Sequence, residues 1–175
     1  STLEKRRNGK TEAFSDETSM YLDLLETEKE PSPYWDPQLR KRCQERLEAQ
    51  WKNQTVSDEL LYAYCLMVGQ RFVYNGDMKF GEKAIQWVLK QKNVPFYQQL
   101  QAIYTLGEAL QAQMRAEECI DLMDQGIALA QEAGCPDHSL LVRLLSLKVD
   151  MHTTLNQLTE ATEAMERLKE LCRLH

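Results

Sequence analysis

The chain has 175 residues, of which 43% are hydrophobic, and a formal net charge of −6. This apolar content is enough for one or two hydrophobic cores, and it excludes a chain that is disordered throughout. The negative charge argues against a nucleic-acid ligand, because nucleic-acid-binding surfaces need an excess of Lys and Arg. No apolar run reaches the roughly 18–20 residues that cross a bilayer, so we expect no membrane span.

The cysteines are five in number, widely spaced, and mostly set within apolar helical patterns. Disulfide-stapled secreted domains instead have an even number of cysteines in a short chain. We therefore expect reduced, mostly buried thiols in an intracellular protein of the cytoplasm, and the short basic segment at 4–10 leaves the nucleus as an alternative. The cysteines are Cys43, Cys65, Cys119, Cys135 and Cys172.

The N-terminal region has two parts. Residues 1–14 show no apolar periodicity and contain Gly9 among polar neighbours, which indicates a flexible tail. A short acidic amphipathic helix is predicted over residues 16–27, before the Pro-rich stretch at 31–37 breaks the chain. The apolar residues expected on one side of this helix are Met20, Tyr21, Leu24 and Leu25.

Seven further helices are predicted from apolar periodicity and from the residues that interrupt it. Asp36 followed by Pro37 is an N-cap and first-turn pair, and Asn75-Gly76, Gly134-Cys-Pro136 and Asn156 supply breaks. No stretch alternates with the period of two that a half-buried strand requires, so we expect an all-α protein. The predicted helices cover residues 37–53, 57–74, 77–92, 96–114, 116–133, 137–155 and 158–173.

An internal repeat accounts for glycines within predicted helices. The segment "VGQRFVYNGDMKFGEKAIQWVLK" aligns with "LGEALQAQMRAEECIDLMDQGIALA", and "KVDMHTTLNQLTEATEAMERLKE" is a weaker third copy. Gly69 then corresponds to Gly107, and Gly81 corresponds to Cys119. Because a Gly inside a helix costs roughly 1 kcal/mol relative to Ala, small residues at these places indicate that two helices cross closely in each unit.

This pattern resembles the tetratricopeptide repeat family, well over residues 62–93 and 100–131 and more weakly over 142–171. The resemblance implies a right-handed superhelical stack of about three antiparallel helix pairs, with N-terminal capping helices. The expected organisation is a tail at 1–14, then the acidic helix, Pro-rich linker and capping helix at 15–56, and a repeat domain at 57–175.

In this family the first helix of each pair lines a concave groove that commonly receives a peptide or helix of a partner protein. The resemblance therefore implies that helices 57–74, 96–114 and 137–155 line such a groove here. Its anchoring end is expected at the apolar and aromatic positions of the first two helices. The implied groove residues are Leu66, Gln70, Val73, Tyr74, Gln101, Tyr104, Glu108, Gln111, Arg143 and Asp150.

These features predict a non-catalytic scaffold or adaptor that binds a protein segment within a multiprotein complex and needs no cofactor. The alternative is a structural subunit that self-associates through uncapped ends of the stack and has no peptide ligand. The acidic N-terminal helix either caps the stack or folds back into the groove. An enzyme is not expected, because His138, His152 and His175 lack metal-ligand spacing and no Gly-rich phosphate loop is present.

Overall fold

The computed structural model describes residues 2–30, 34–134 and 138–174, with side chains between residues 15 and 173 of these ranges. The described residues form α-helices and no strand, which confirms the prediction of an all-α protein. The chain divides into two compact units, Ser1–Val88 and Leu89–His175. The helices are α1 (Thr2–Lys29), α2 (Pro37–Lys52), α3 (Asp58–Tyr74), α4 (Met78–Leu89), α5 (Phe96–Ala112), α6 (Ala116–Glu132), α7 (His138–Thr154) and α8 (Leu158–Leu174).

Helix α1 begins earlier than the sequence predicts. The backbone is helical from Thr2, whereas order is expected only from about residue 15. The segment at 4–7, Glu-Lys-Arg-Arg, consists of strong helix formers, which favours a helix here despite the cost of the single Gly9. The prolines at 31 and 33, which were expected to break the chain after this helix, lie outside the described residues, as does the predicted break at 135–136.

Local capping sets the start of α2 and the turns that follow other helices. The Asp36 carboxylate accepts a hydrogen bond from the backbone N–H of Gln38 at 2.8 Å, and Pro37 occupies the first helical position. Gly76 (φ +86°) and Asn156 (φ +57°) adopt the left-handed conformation after α3 and α7. The predicted start of α2 and the predicted breaks after α3 and α7 are therefore confirmed.

An aromatic cluster forms much of the core of the first unit. The ring of Phe72 in α3 lies 4.5 Å from that of Phe80 in α4 and 4.8 Å from that of Trp35, measured between centroids. Trp51 of α2 extends the cluster, 5.7 Å from Phe80 and 6.4 Å from Trp87. Each aromatic pair of this kind stabilises the fold by about 0.5–1.5 kcal/mol, in addition to the free energy gained by burying its apolar surface. The cluster therefore holds α2, α3 and α4 together.

Helices α3 and α4 pack closely at two glycines. A Cβ on Gly81 would lie 2.6 Å from Val73 Cγ2 and 3.0 Å from the carbonyl oxygen of Gly69, and a Cβ on Gly69 would lie 2.9 Å from Ile85 Cδ1. Because the contacts join 69 to 85 and 73 to 81, the two helices run antiparallel. The close approach predicted from Gly69 and Gly81 is therefore confirmed for this pair.

The second unit contains the corresponding contact between α5 and α6. The Cys119 thiol donates a hydrogen bond to the Gly107 carbonyl at 3.3 Å, and a Cβ on Gly107 would collide with Met123 Cε and lie 3.0 Å from Leu147 Cδ2. Small residues therefore meet at the predicted positions here as well. None of the described helices combines the length and the apolar character that crossing a membrane demands.

Candidate partner-binding surface

Helices α5 and α7 of the second unit carry six of the predicted groove residues. The two helices touch, since Leu147 of α7 packs against the backbone of α5 at Gly107. On each helix the predicted residues are spaced by three, four or seven positions, which places them on one side. All six are half-buried or exposed, and we call this set the Tyr104 surface: Gln101, Tyr104, Glu108 and Gln111 of α5, with Arg143 and Asp150 of α7.

Tyr104 is the aromatic centre of this surface. Partial burial raises the pKa of its phenol, and the negative charges of Glu108 and Asp150 raise this pKa further, whereas the positive charge of Arg143 lowers it. One basic and two acidic side chains from two helices therefore act on a single half-buried ring. The phenol is protonated at neutral pH, as tyrosine is even at its ordinary pKa, and it can donate a hydrogen bond.

The other four predicted groove residues lie on α3 in the first unit and are of two kinds. Leu66 and Val73 are 5% and 3% exposed, and Val73 packs against Gly81 of α4. Their burial leaves almost no surface on which a partner could be anchored. Gln70 and Tyr74 do reach the surface, where the Gln70 amide donates a hydrogen bond to the Tyr74 hydroxyl at 2.9 Å.

A buried polar cluster docks α1 onto α2 and α3, and apolar periodicity gives no sign of it. The Asp23 carboxylate is 2% exposed and accepts hydrogen bonds from Arg42 Nε at 3.1 Å, from Arg46 Nε, and from the Tyr64 hydroxyl at 2.9 Å. A buried carboxylate is tolerated only when it is paired and hydrogen-bonded in this way. The only hint in the sequence is that two arginines lie four residues apart on α2.

The buried face of α1 differs from the predicted one. Met20 is buried as expected, but Tyr21 and Leu25 are exposed, and Asp23 and Thr27 occupy the interior. Tyr21 and Leu25, which were expected on the same side of the helix as Met20, are therefore not buried with it. In this orientation the Asp23 carboxylate meets three hydrogen-bonding partners, which a buried carboxylate requires.

The buried thiols are poorly suited to act as nucleophiles. Burial raises the pKa of Cys43 to about 11, that of Cys65 to about 12 and that of Cys119 to about 11, so these thiols stay protonated at neutral pH. The predicted burial is confirmed for these three, whereas Cys172 is exposed and Cys135 lies outside the described residues. Within the described ranges, no three His, Cys, Asp or Glu side chains are grouped to hold a metal ion.

Comparisons of the chain with protein-family models, with curated proteins and with solved structures found no match in any of the three. The role of the Tyr104 surface therefore has to be inferred from the chemistry of its own residues.

Proposed function

We propose that this protein is a non-catalytic intracellular adaptor that holds a peptide or helix of another protein on the Tyr104 surface. The observation that carries the proposal is the position of Tyr104, a half-buried ring on the side of α5 that also bears Glu108, next to helix α7 with Arg143 and Asp150. Tyrosine is enriched at binding hot spots, because its ring buries a large apolar area while its hydroxyl still reaches a hydrogen-bonding partner. Charges of both signs around the ring orient a partner and exclude wrongly charged ones.

The chemistry of this surface specifies the kind of segment that fits it. An aromatic or branched aliphatic side chain would stack on the Tyr104 ring. A Lys or Arg of the segment would face Glu108 and Asp150, and an Asp or Glu would face Arg143. A segment with this charge order binds more tightly than one with the order reversed, because reversal places like charges opposite each other.

We further propose that the helix pairs are tetratricopeptide-like repeats stacked into a right-handed superhelix. The support is that a close helix crossing at small residues recurs at aligned positions. It involves Gly69 and Gly81 in the first unit, and Gly107 and Cys119 in the second. A helix pair of this kind cannot bury its apolar stripe alone, which favours stacking with neighbouring pairs.

Self-association is the second candidate, and α8 carries the observation that favours it. Leu158 and Met165 lie seven residues apart on one side of α8 and are 61% and 37% exposed. Apolar side chains in such a row gain free energy when a second surface covers them. In that case the mass of the protein in solution depends on its concentration, which the adaptor function does not require.

The experiment that tests the adaptor function is affinity capture from cell extract with the whole chain. Three proteins are compared: the wild type, the double variant Tyr104→Ala/Arg143→Glu, and Arg173→Glu as a matched charge reversal on α8. Circular dichroism first establishes that all three are folded. A protein retained by the wild type and by Arg173→Glu, but lost from the double variant, supports the proposal. Equal retention by all three contradicts it.

A further inference from the structure

The part of α1 with described side chains departs from the usual amphipathic arrangement. Its buried face contains Asp23 and Thr27 beside Met20, at 2%, 0% and 1% exposure. Its outward face carries three large apolar side chains at 51–53% exposure, and we call them the α1 patch: Tyr21, Leu22 and Leu25. A helix on the surface of a globular protein normally turns its apolar side inward.

Polar contacts along the helix prevent α1 from rotating to bury this patch. At the midpoint of the helix, Asp16 accepts a hydrogen bond from the Thr55 hydroxyl at 2.6 Å. Two turns further along, Asp23 is held by the two arginines of α2 and by Tyr64. Near its end, the Arg71 guanidinium donates to the backbone carbonyl of Thr27 at 2.9 Å. Rotation would break all of these contacts, so the patch is held outward.

Exposing these apolar side chains costs free energy, which a partner that covers them would regain. Burying a Leu side chain completely is worth about 1.5–3 kcal/mol relative to leaving it exposed. Three neighbouring half-exposed apolar side chains on one helix face provide the row of anchors on which helix-to-helix docking depends. The α1 patch is therefore a surface whose covering is favourable.

The charges around the patch indicate what covers it. Residues 15–30 contain six carboxylates and one ammonium group. Glu17 and Glu28 are exposed and lie four and seven residues from Tyr21, on the same side of α1. Glu26 lies toward the other flank, where it forms an exposed ion pair with Arg42 at 2.8 Å. The exposed Lys29 lies four residues after Leu25 at one end of the patch, and carboxylates predominate along the rest of its border. A partner that brings apolar side chains to the centre and positive charge to the edges therefore fits this surface.

We propose that the α1 patch docks a basic amphipathic helix of another protein, with apolar residues at three- and four-residue spacing and Lys or Arg along both edges. A second copy of this acidic segment would place carboxylates opposite carboxylates, and an anionic membrane would be repelled in the same way. The inference does not depend on the proposed function, because the patch lies in the first unit and the Tyr104 surface in the second. Together the two surfaces would let one adaptor bind two partners.

The test uses two synthetic helical peptides of equal length and identical leucine spacing, one with Lys and the other with Glu along both edges. Their dissociation constants for the whole chain are measured by fluorescence anisotropy. We expect the Lys peptide to bind at least about tenfold more tightly than the Glu peptide. Leu22→Ser/Leu25→Ser should weaken the Lys peptide by about tenfold or more, whereas the matched change Leu158→Ser/Met165→Ser on α8 should leave its affinity unchanged.

Further variants separate this inference from its competitors and from the proposed function. Glu17→Gln/Glu28→Gln should weaken the Lys peptide and reduce its salt dependence, while Tyr104→Ala should not affect it. Equal binding of the two peptides, or unchanged binding to Leu22→Ser/Leu25→Ser, would overturn the inference. A wild-type dimer that becomes monomeric in Leu22→Ser/Leu25→Ser would also overturn the inference, because it would show that a second copy of the chain covers the patch. Patch-dependent co-sedimentation with phosphatidylserine vesicles would assign it to a membrane.

Discussion

The phenolic hydroxyl of Tyr64 donates a hydrogen bond to the Asp23 carboxylate at 2.9 Å, and both side chains are buried. This contact joins α1 to α3 inside the first unit, while Arg42 and Arg46 join the same carboxylate to α2. One acidic residue therefore holds three helices. It also sets which face of α1 points outward, and so links the stability of the first unit to the exposure of the α1 patch.

Replacing Asp23 by Asn should destabilise the protein by about 2–3 kcal/mol, because the charge-assisted hydrogen bonds from Arg42 and Arg46 to a buried carboxylate are lost. Tyr64→Phe removes a single buried hydrogen bond and should cost about 1 kcal/mol. Glu26→Gln, which removes only the exposed partner of Arg42, should cost less than about 0.5 kcal/mol. Urea unfolding followed by circular dichroism measures all three. An Asp23→Asn cost no larger than that of Glu26→Gln would show that the cluster is not structural.

Gly81 and Gly107, one from each unit, should differ in how they tolerate alanine. A Cβ at Gly81 meets backbone atoms, Gly69 O and Val73 N, at 3.0 Å each, so Gly81→Ala should cost about 2 kcal/mol. At Gly107 the nearest atom is the terminal methyl of Met123, which can move, so Gly107→Ala should cost less than about 1 kcal/mol. Gly107→Leu cannot be accommodated, and should cost about 3 kcal/mol or more. Melting temperatures give the order, and a Gly107→Leu protein that melts with the wild type would refute the close crossing.

The cysteines should differ in reactivity according to their burial. In the native protein at neutral pH, Cys172 should be alkylated by iodoacetamide much faster than Cys43, Cys65 and Cys119, because those three are buried and protonated. Mass spectrometry of tryptic peptides measures the rate at each site. In urea the rates should converge, which serves as the control. Rapid labelling of Cys119 in the native protein would mean that α5 and α6 are not packed as described.

The same buried thiols predict a loss of stability at alkaline pH. In the unfolded chain the thiols of Cys43 and Cys119 lose their protons near their ordinary pKa of 9.0, whereas burial raises the pKa to about 11 in the folded protein. The folded state then holds more protons between these values, so its stability is complete below about pH 9 and falls as the pH rises toward about 11. Urea unfolding across this range measures the slope. Cys43→Ala/Cys119→Ala should flatten it, and an unchanged slope would contradict the prediction.

The charges around Tyr104 should be visible in its titration. Because Arg143 lowers the pKa of the Tyr104 phenol, Arg143→Gln should raise this pKa, and Glu108→Gln should lower it. Nuclear magnetic resonance of protein with isotope-labelled tyrosines follows the signal of the Tyr104 ring through the titration. Arg173→Gln, an equal loss of charge on α8, should leave the pKa of Tyr104 unchanged. If Arg143→Gln and Arg173→Gln behave alike, α7 does not contribute to the Tyr104 surface.

The helices are predictable from the sequence because local signals mark their ends. The start of α2 is set by a hydrogen bond from the backbone of Gln38 to Asp36, and the end of α3 by the positive φ of Gly76. Both signals involve only residues close in sequence, so they can be recognised without knowing the fold. The spacing of Gln101, Tyr104 and Glu108 likewise places them on one side of α5 in any all-helical arrangement.

The orientation of α1 and the state of the α3 positions are not predictable in this way. Asp23 is buried because it meets partners 19, 23 and 41 residues away along the chain, and such pairings leave no periodic signal. Leu66 and Val73 have the spacing expected of groove residues, yet they are buried. Periodicity identifies an apolar stripe but does not tell which of its edges other side chains cover.

Site-specific photo-crosslinking from Gln111 tests the adaptor function most directly. A benzoyl-phenylalanine at this exposed position of the Tyr104 surface leaves Tyr104 and Arg143 intact, and the same group at the exposed Ala128 of α6 is the control. We predict that illumination in cell extract joins one protein to position 111 but not to position 128, and that Arg143→Glu abolishes this adduct. The same adducts at both positions, or an adduct at 111 that persists in Arg143→Glu, would contradict a partner-binding role for this surface.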